Sequence, residues 1–362
     1  MHLIFARDLG EDLQPSTHKL CRRIWWLLYS RDVLFCLSGF SNARCIDDEE
    51  VDVTELTVDD WVEESVSAVE SFNDLPPATT IHMHYFLQNC RLAALSAEFL
   101  RIARHKKIAG GGLSTITEFP DAVAHWRRSL PKELLPTEDT LLSRVTLKPT
   151  SNVWMIVLLA MSFRLECLYY RTARDQLRPL NNSEAIDWCT KQLFESTFEL
   201  DTLLNRAVVH DLVQYAPSSL IVCALNLLAF HIEIGLDKST SFAMKIAVKA
   251  RIHTCLSYLQ SMSDHWRIAK WSLRVSNWVV RRSGLGLTDA TTGTNTPANG
   301  QAGVSKERAP NDPNAAHDRE GSPFTPFAFD MDDILMNDWM QDFVGENLFN
   351  QLGDGFLEAS GI

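Results

Sequence analysis

The sequence predicts an all-α protein from three observations: apolar residues recur at intervals of three and four as far as Arg282, alternating β-branched runs are scarce, and the pattern breaks at proline and glycine. The first helix is expected in the string CRRIWWLLYSRD that begins at Cys21. Leu20, Ile24, Leu27, Leu28 and Phe35 line one side of it, and Trp25, Trp26 and Tyr29 cover another. Apolar nearly all round, this helix is expected in a core. Asp32 needs a cationic or hydrogen-bonding partner in that setting, and Arg44, beyond the turn at Gly39, is placed to fold back onto it. Phe86, Cys90, Ala93, Ala97 and Leu100 form the stripe of a second helix, which the Gly110 to Gly112 run ends. A third starts near Pro120, carries Ala122, Val123, Trp126 and Leu130, and stops at Pro131. Further helices are expected over Asn152 to Leu177, Ser183 to Tyr215, Ser218 to Ile234, Thr240 to Ser261 and His265 to Arg282, punctuated by Pro179, Pro217 and Gly235.

The chain has 362 residues, 46% of them hydrophobic and 22% charged, enough for one large core or two modest ones. Its net charge of −12 argues against a general nucleic-acid coat protein. That acidity is local, because Gly284 to Ile362 holds 3 basic and 13 acidic residues. The eight cysteines are scattered through apolar runs, and none sits at C-x-x-C spacing. They read as small buried hydrophobes in a reducing compartment. No secretory signal follows Met1, and the apolar runs Val153 to Phe163 and Leu220 to Phe230 are too short for a bilayer span, so no membrane partner is expected.

Three units are therefore expected: a helical domain over residues 1–283, a linker over 284–326 and a distinct tail over 327–362. In the linker, 23 of the 43 residues from Gly284 to Pro326 are Gly, Pro, Ser, Thr or Asn, too few apolar groups to offset ordering. From Phe324 to the end there is no Lys or Arg, against eight Asp or Glu and seven Phe or Trp. Within that stretch Leu335, Trp339 and Phe343 recur at i, i+4 and i+8, surrounded by Asp332, Asp333, Asp338 and Asp342. The acids keep the aromatics in solution and attract a basic-rimmed groove, and the stripe folds into that groove on contact. This predicts an acidic activation segment with Leu335, Trp339 and Phe343 as partner-binding residues. The competing reading docks the same stripe on the chain's own helical domain.

Catalytic signals are weak. Asp47, Asp48 and Asp52 have a D-D-x-x-x-D spacing that could hold Mg²⁺ for a diphosphate, but no second metal motif follows, which favours an exposed acidic turn. His82 and His84 suit neither one helical face nor a zinc site and are expected on the surface or in packing. No G-x-S-x-G, G-x-G-x-x-G or G-x-x-x-x-G-K motif occurs. No enzyme activity, metal or cofactor is expected. The pairs Arg22-Arg23, Arg127-Arg128 and Arg281-Arg282 could serve nuclear import or phosphate contact, though solvated helix ends are the favoured reading.

Paired Arg, paired Trp, an aromatic, Asp32, the Gly39 loop and the RCIDDEEVDV ending together resemble the fungal-specific transcription factor domain, the middle homology region of binuclear zinc cluster regulators. Two later stretches agree in order. Val123, Trp126 and Leu130-Pro131 are similar to that family's L-x-x-W-x-x-x-L-P segment, and Tyr169-Tyr170 with Leu177-Arg178-Pro179 to its aromatic-to-LRP helix end. Ala6 to Leu13 is similar to its A-x-D-L-G-L segment, and the long RRIWW to VDV form most resembles the cutinase-type regulators.

The resemblance implies a nuclear, pathway-specific regulator of metabolic or secondary-metabolite genes that works with the transcription machinery or a coactivator. The family's six-cysteine zinc cluster has no counterpart in these residues, and the domain's first helices are missing as well. Specific DNA binding is then expected only where a partner or a missing N-terminus supplies the cluster, and an apolar face is left for another subunit, as a homo- or heterodimer, to cover. The alternative expectation is a non-DNA-binding dimerisation or ligand-sensing partner of full-length zinc cluster factors.

Overall fold

The computed structural model describes residues 15–38, 44–46, 53–61, 79–105, 113–134, 150–238 and 240–285. Among them are eight α-helices: α1 Pro15–Leu37, α2 Thr80–Arg104, α3 Leu113–Arg128, α4 Thr150–Leu177, α5 Ser183–Val209, α6 Ser219–Leu236, α7 Phe242–Ser263 and α8 Arg267–Arg282. No strand occurs among the described residues, so the fold is all-α. The expected segment Leu335, Trp339 and Phe343, the tail around it, the acidic run Asp47, Asp48 and Asp52 and the Gly110 to Gly112 run all lie outside the described residues.

The core is organised on α4, which packs most extensively on α5 and also meets α2, α3 and α6; α6, α7 and α8 form a second layer in sequence. One continuous apolar cluster joins these elements, from Leu92 and Phe99 through Ile156, Leu165 and Leu200 to Leu228, Leu259 and Val279. Two helices, spanning Val153–Leu180 and Ser219–Leu236, are long and apolar enough to cross a membrane, yet 78% and 72% of their most apolar stretches are buried inside the fold. They behave as core helices of this domain.

Capping residues fix several starts. Thr79 caps α2 in a reciprocal box with His82, whose Nδ1 lies 3.3 Å from the Thr79 amide and accepts from it. Asn182 and Ser241 accept from the amides of Ala185 and Met244 at the starts of α5 and α7.

Three expected boundaries move, each for a local reason. The helix expected to run from Ser183 to Tyr215 stops at Val209, because Asp211 adopts a left-handed φ of 53°. There the amides of Asp211 and Leu212 bond back to Val208 and Ala207, a Schellman closure in which aspartate stands where glycine is usual. Gly235 does not end its helix; it is buried within α6, where a Cβ would come within 2.9 Å of the Leu285 side chain. Pro120 does not start α3 but sits inside it, seven residues past Leu113.

Candidate interaction surfaces

The segment that carries the sequence resemblance is α1 and its surroundings. Tyr29, Val33 and Leu37 are its buried residues of apolar type, and they face α2 through Ala93, Ala97 and Leu92. Trp25 stacks on Tyr29 at 5.1 Å between ring centres, and Trp26 meets both rings edge-on. The Trp26 indole N–H donates to the Thr54 carbonyl at 3.1 Å, which ties the stretch after the loop back onto the helix. Arg22 pairs with buried Asp60 at 2.9 Å, and Asp60 also accepts from the Thr57 amide.

Asp32 is the hub of the α1 turn. It accepts from the amides of Cys45 and Ile46 at 2.8 and 3.2 Å and from Arg44 Nε at 3.3 Å, as the sequence led us to expect. Arg44 in turn lies over the Tyr29 ring, 4.8 Å from its centre. At the helix end, Arg164 of α4 is fully buried and donates from Nη2 to the Leu37 carbonyl at 2.8 Å. Its Nε donates to Asn226 Oδ1, while Nη1 has no partner among the described residues. Burial lowers its pKa to about 10, so it stays a cation placed at the negative end of α1.

The other face of α1 departs from expectation. Leu20, Ile24, Leu27, Leu28 and Phe35 are 41–55% exposed, so they line the surface rather than a core. The reason is geometric: α2 and the stretch around Asp60 cover one side of the helix, and these five side chains lie on the other. The result is a stripe at i, i+4, i+7, i+8 and i+15, interrupted by the exposed Arg31.

The later motif residues are packing residues. Val123, Trp126 and Leu130 sit in the core, while Arg127 points across to α4, pairing with buried Glu166 and lying over Phe163. Glu166 also accepts from Ser196 at 3.3 Å, and its burial raises its pKa against the pull of Arg127. Tyr169 and Tyr170 are buried between α3 and α5. Pro179 forms the 3₁₀ turn Arg178–Leu180 that ends α4, before left-handed Asn181.

The thiols of Cys90, Cys167 and Cys223 are pushed up to about 12 by burial and stay protonated. Among the described residues no group of three His, Cys, Asp or Glu could hold a metal ion. His82, considered above for the surface or for packing, is a helix cap whose ring also meets Trp154 edge-on. Two surfaces stand out among the described residues, the apolar side of α1 and a basic side of α8.

Comparison with known proteins decides the wider class. A fusaric acid cluster transcription factor (FUB12) of Gibberella fujikuroi is 25% identical over 253 residues, 69% of this chain and 36% of that protein. Its counterpart in Gibberella moniliformis is 26% identical over 253 residues with the same coverage. Cutinase transcription factor 1 alpha of Fusarium vanettenii is 20% identical over 263 residues, 71% of this chain and 27% of that protein.

The chain is a homologue of fungal transcription factors. That relation is consistent with the fungal transcription factor domain its sequence resembles. The chain covers little more than a third of the length of the FUB12 proteins it matches. No family model matches it, and no solved structure matches it.

Proposed function

We propose that this protein is a nuclear, pathway-specific regulator of a metabolic or secondary-metabolite gene cluster, and not an enzyme. The observation that carries the reading is the similarity to FUB12, named for the fusaric acid cluster, over 69% of this chain. In this reading the helical domain over 1–283 is the regulatory unit. A linker over 284–326 tethers the activation segment of 327–362, which presents Leu335, Trp339 and Phe343 to a coactivator of the transcription machinery.

Physically, a stripe of this kind draws its affinity from apolar burial and its encounter rate from charge. Specific DNA contact belongs to a zinc cluster supplied by a partner subunit or by preceding residues. The test is to replace Leu335, Trp339 and Phe343 by Ala at the native locus and measure transcripts genome-wide. Loss of expression from one contiguous set of genes, with protein abundance unchanged, supports the reading; an unchanged transcriptome overturns it.

The exposed stripe of α1 favours a second reading, in which the chain is a non-DNA-binding partner that dimerises through that stripe with full-length zinc cluster factors. Under that reading Leu27→Asp with Ile24→Asp separates the two chains in a pull-down, and the tail substitutions leave transcription unchanged. A ligand-sensing role would show instead as a small molecule that changes the pairing.

A further inference from the structure

Helix α8 contains Arg267, Lys270, Arg274, Arg281 and Arg282 and no Asp or Glu. Its buried residues, Ala269, Ser272, Val275, Ser276, Val279 and Val280, all turn toward the domain. The five cations turn outward, all exposed, and none pairs with a carboxylate among the described residues. Arg267, Lys270, Arg274, Trp278 and Arg281 recur at steps of three and four, with half-buried Trp271 beside them. Arg267 opens the helix and Arg281-Arg282 close it; with Lys270 and Arg274 between them the cations are spread over both halves, with an aromatic surface set among them.

A face of this composition suits an acidic, amphipathic segment: carboxylates meet the guanidinium and ammonium groups, and apolar side chains meet the indoles. We infer that the outward face of α8 is the docking surface for this chain's own residues 327–349. That segment has six Asp or Glu, no Lys or Arg, and the stripe of Leu335, Trp339 and Phe343.

Charge and reach both select this occupant. The 16 residues of α8 span about 24 Å, enough to seat the nine residues from Leu335 to Phe343, about 14 Å long as a helix. Taken as the linker proposed above, the intervening residues 286–326 would give a tether with a root-mean-square span of roughly 35 Å, long enough to lay the segment anywhere along the helix. Such a tether holds it at an effective concentration on the order of 1 mM. A second copy of α8 would set five cations against five. The exposed stripe of α1 offers apolar area, but only Arg31 among its exposed positions is charged.

Zero-length carbodiimide cross-linking of the full chain tests this directly, because it joins an amine to a carboxylate only in contact. Lys270 is expected to link to acids of 327–349 within one molecule, and 0.5 M salt to reduce the yield. Amide exchange supplies the second readout: with a docking Kd near 100 μM against that effective concentration, exchange across 327–349 slows about tenfold. Lys270→Glu with Arg274→Glu and Arg281→Glu restores free exchange while the melting curve is kept, since these side chains point outward.

Links from Lys19 of α1 instead of Lys270 would overturn the assignment, and so would links only between isotope-distinguished copies. Loss of the Lys270 links on adding duplex DNA, with exchange at 327–349 already fast in its absence, would assign the face to phosphate. Docking does not depend on what the segment does: cross-links report contact, whereas a reporter reports recruitment.

Discussion

The hydroxyl of Tyr169 donates to the backbone carbonyl of Ile116 at 2.9 Å, and Ile116 is the residue four before Pro120. Proline has no N–H, so the carbonyl that position 120 would satisfy in an ordinary helix is left over. A tyrosine from α4 supplies the missing donor inside the core, where an unpaired carbonyl is costly. The same ring stacks on Phe119 at 4.9 Å, so one side chain both closes the gap in α3 and packs α3 against α4.

This pairing makes a double-mutant prediction. Tyr169→Phe keeps the stacked ring but orphans the Ile116 carbonyl, and is expected to cost about 1–3 kcal/mol. Pro120→Ala returns an N–H to the helix, so in that background Tyr169→Phe should cost much less. Chemical denaturation of the four proteins gives the coupling energy directly. Additive effects would show that the two groups are not partners.

The amphipathic helices from α4 onward were legible because Pro179, Pro217 and the apolar period pointed the same way, while the caps at Asn182 and Ser241 went unread. Asp32 with Arg44 was legible for another reason, since a carboxylate in an apolar string must find a donor. Other features were hidden by residues acting outside their usual roles. Asp211 took the left-handed position common to glycine, Gly235 served side-chain packing rather than helix termination, and Pro120 was tolerated because Tyr169 stood opposite. Periodicity showed that α1 is apolar on two sides, but which side is covered depends on tertiary neighbours. On α8 the signal was present in the spacing of Arg267, Lys270, Arg274 and Arg281, and reading the arginines as adjacent pairs concealed it.

Burial of His231 predicts sensitivity to acid. It is 7% exposed, its Nε2 has no hydrogen-bond partner among the described residues, and burial pushes its pKa down to about 4 from 6.5. The folded state therefore resists a proton that the unfolded chain accepts. Its contribution is fully present above pH 6.5 and is lost as pH falls toward 4, by up to about 3 kcal/mol. His231→Leu removes the titration, so the difference in stability between parent and variant should change over that window and stay flat above it. Parallel stability curves from pH 7 to pH 4 would contradict the assignment.

Trp26 is half-buried, and its ring joins α1 to two satellite clusters on α2 while its N–H holds Thr54. Trp26→Ala should destabilise the domain by about 2 kcal/mol, less than the 3–5 of a fully buried tryptophan. Trp26→Phe, which keeps the ring contacts and loses one hydrogen bond, should cost about 1 kcal/mol. Thermal melts rank the two. A variant that melts like the parent but fails to regulate would make Trp26 a contact for a partner.

Residues 327–349 are proposed to recruit the transcription machinery through an apolar stripe carried by acids. The direct measurement fuses that segment to a foreign DNA-binding domain and reads a reporter gene. Activation is expected, with Leu335, Trp339 and Phe343 replaced by Ala abolishing it at unchanged charge. Asn at 332, 333, 338 and 342 should only weaken it, because the acids contribute long-range, salt-screened attraction while the stripe contributes the buried area. An inert fusion, or a dead Asn variant beside an active Ala variant, would contradict it.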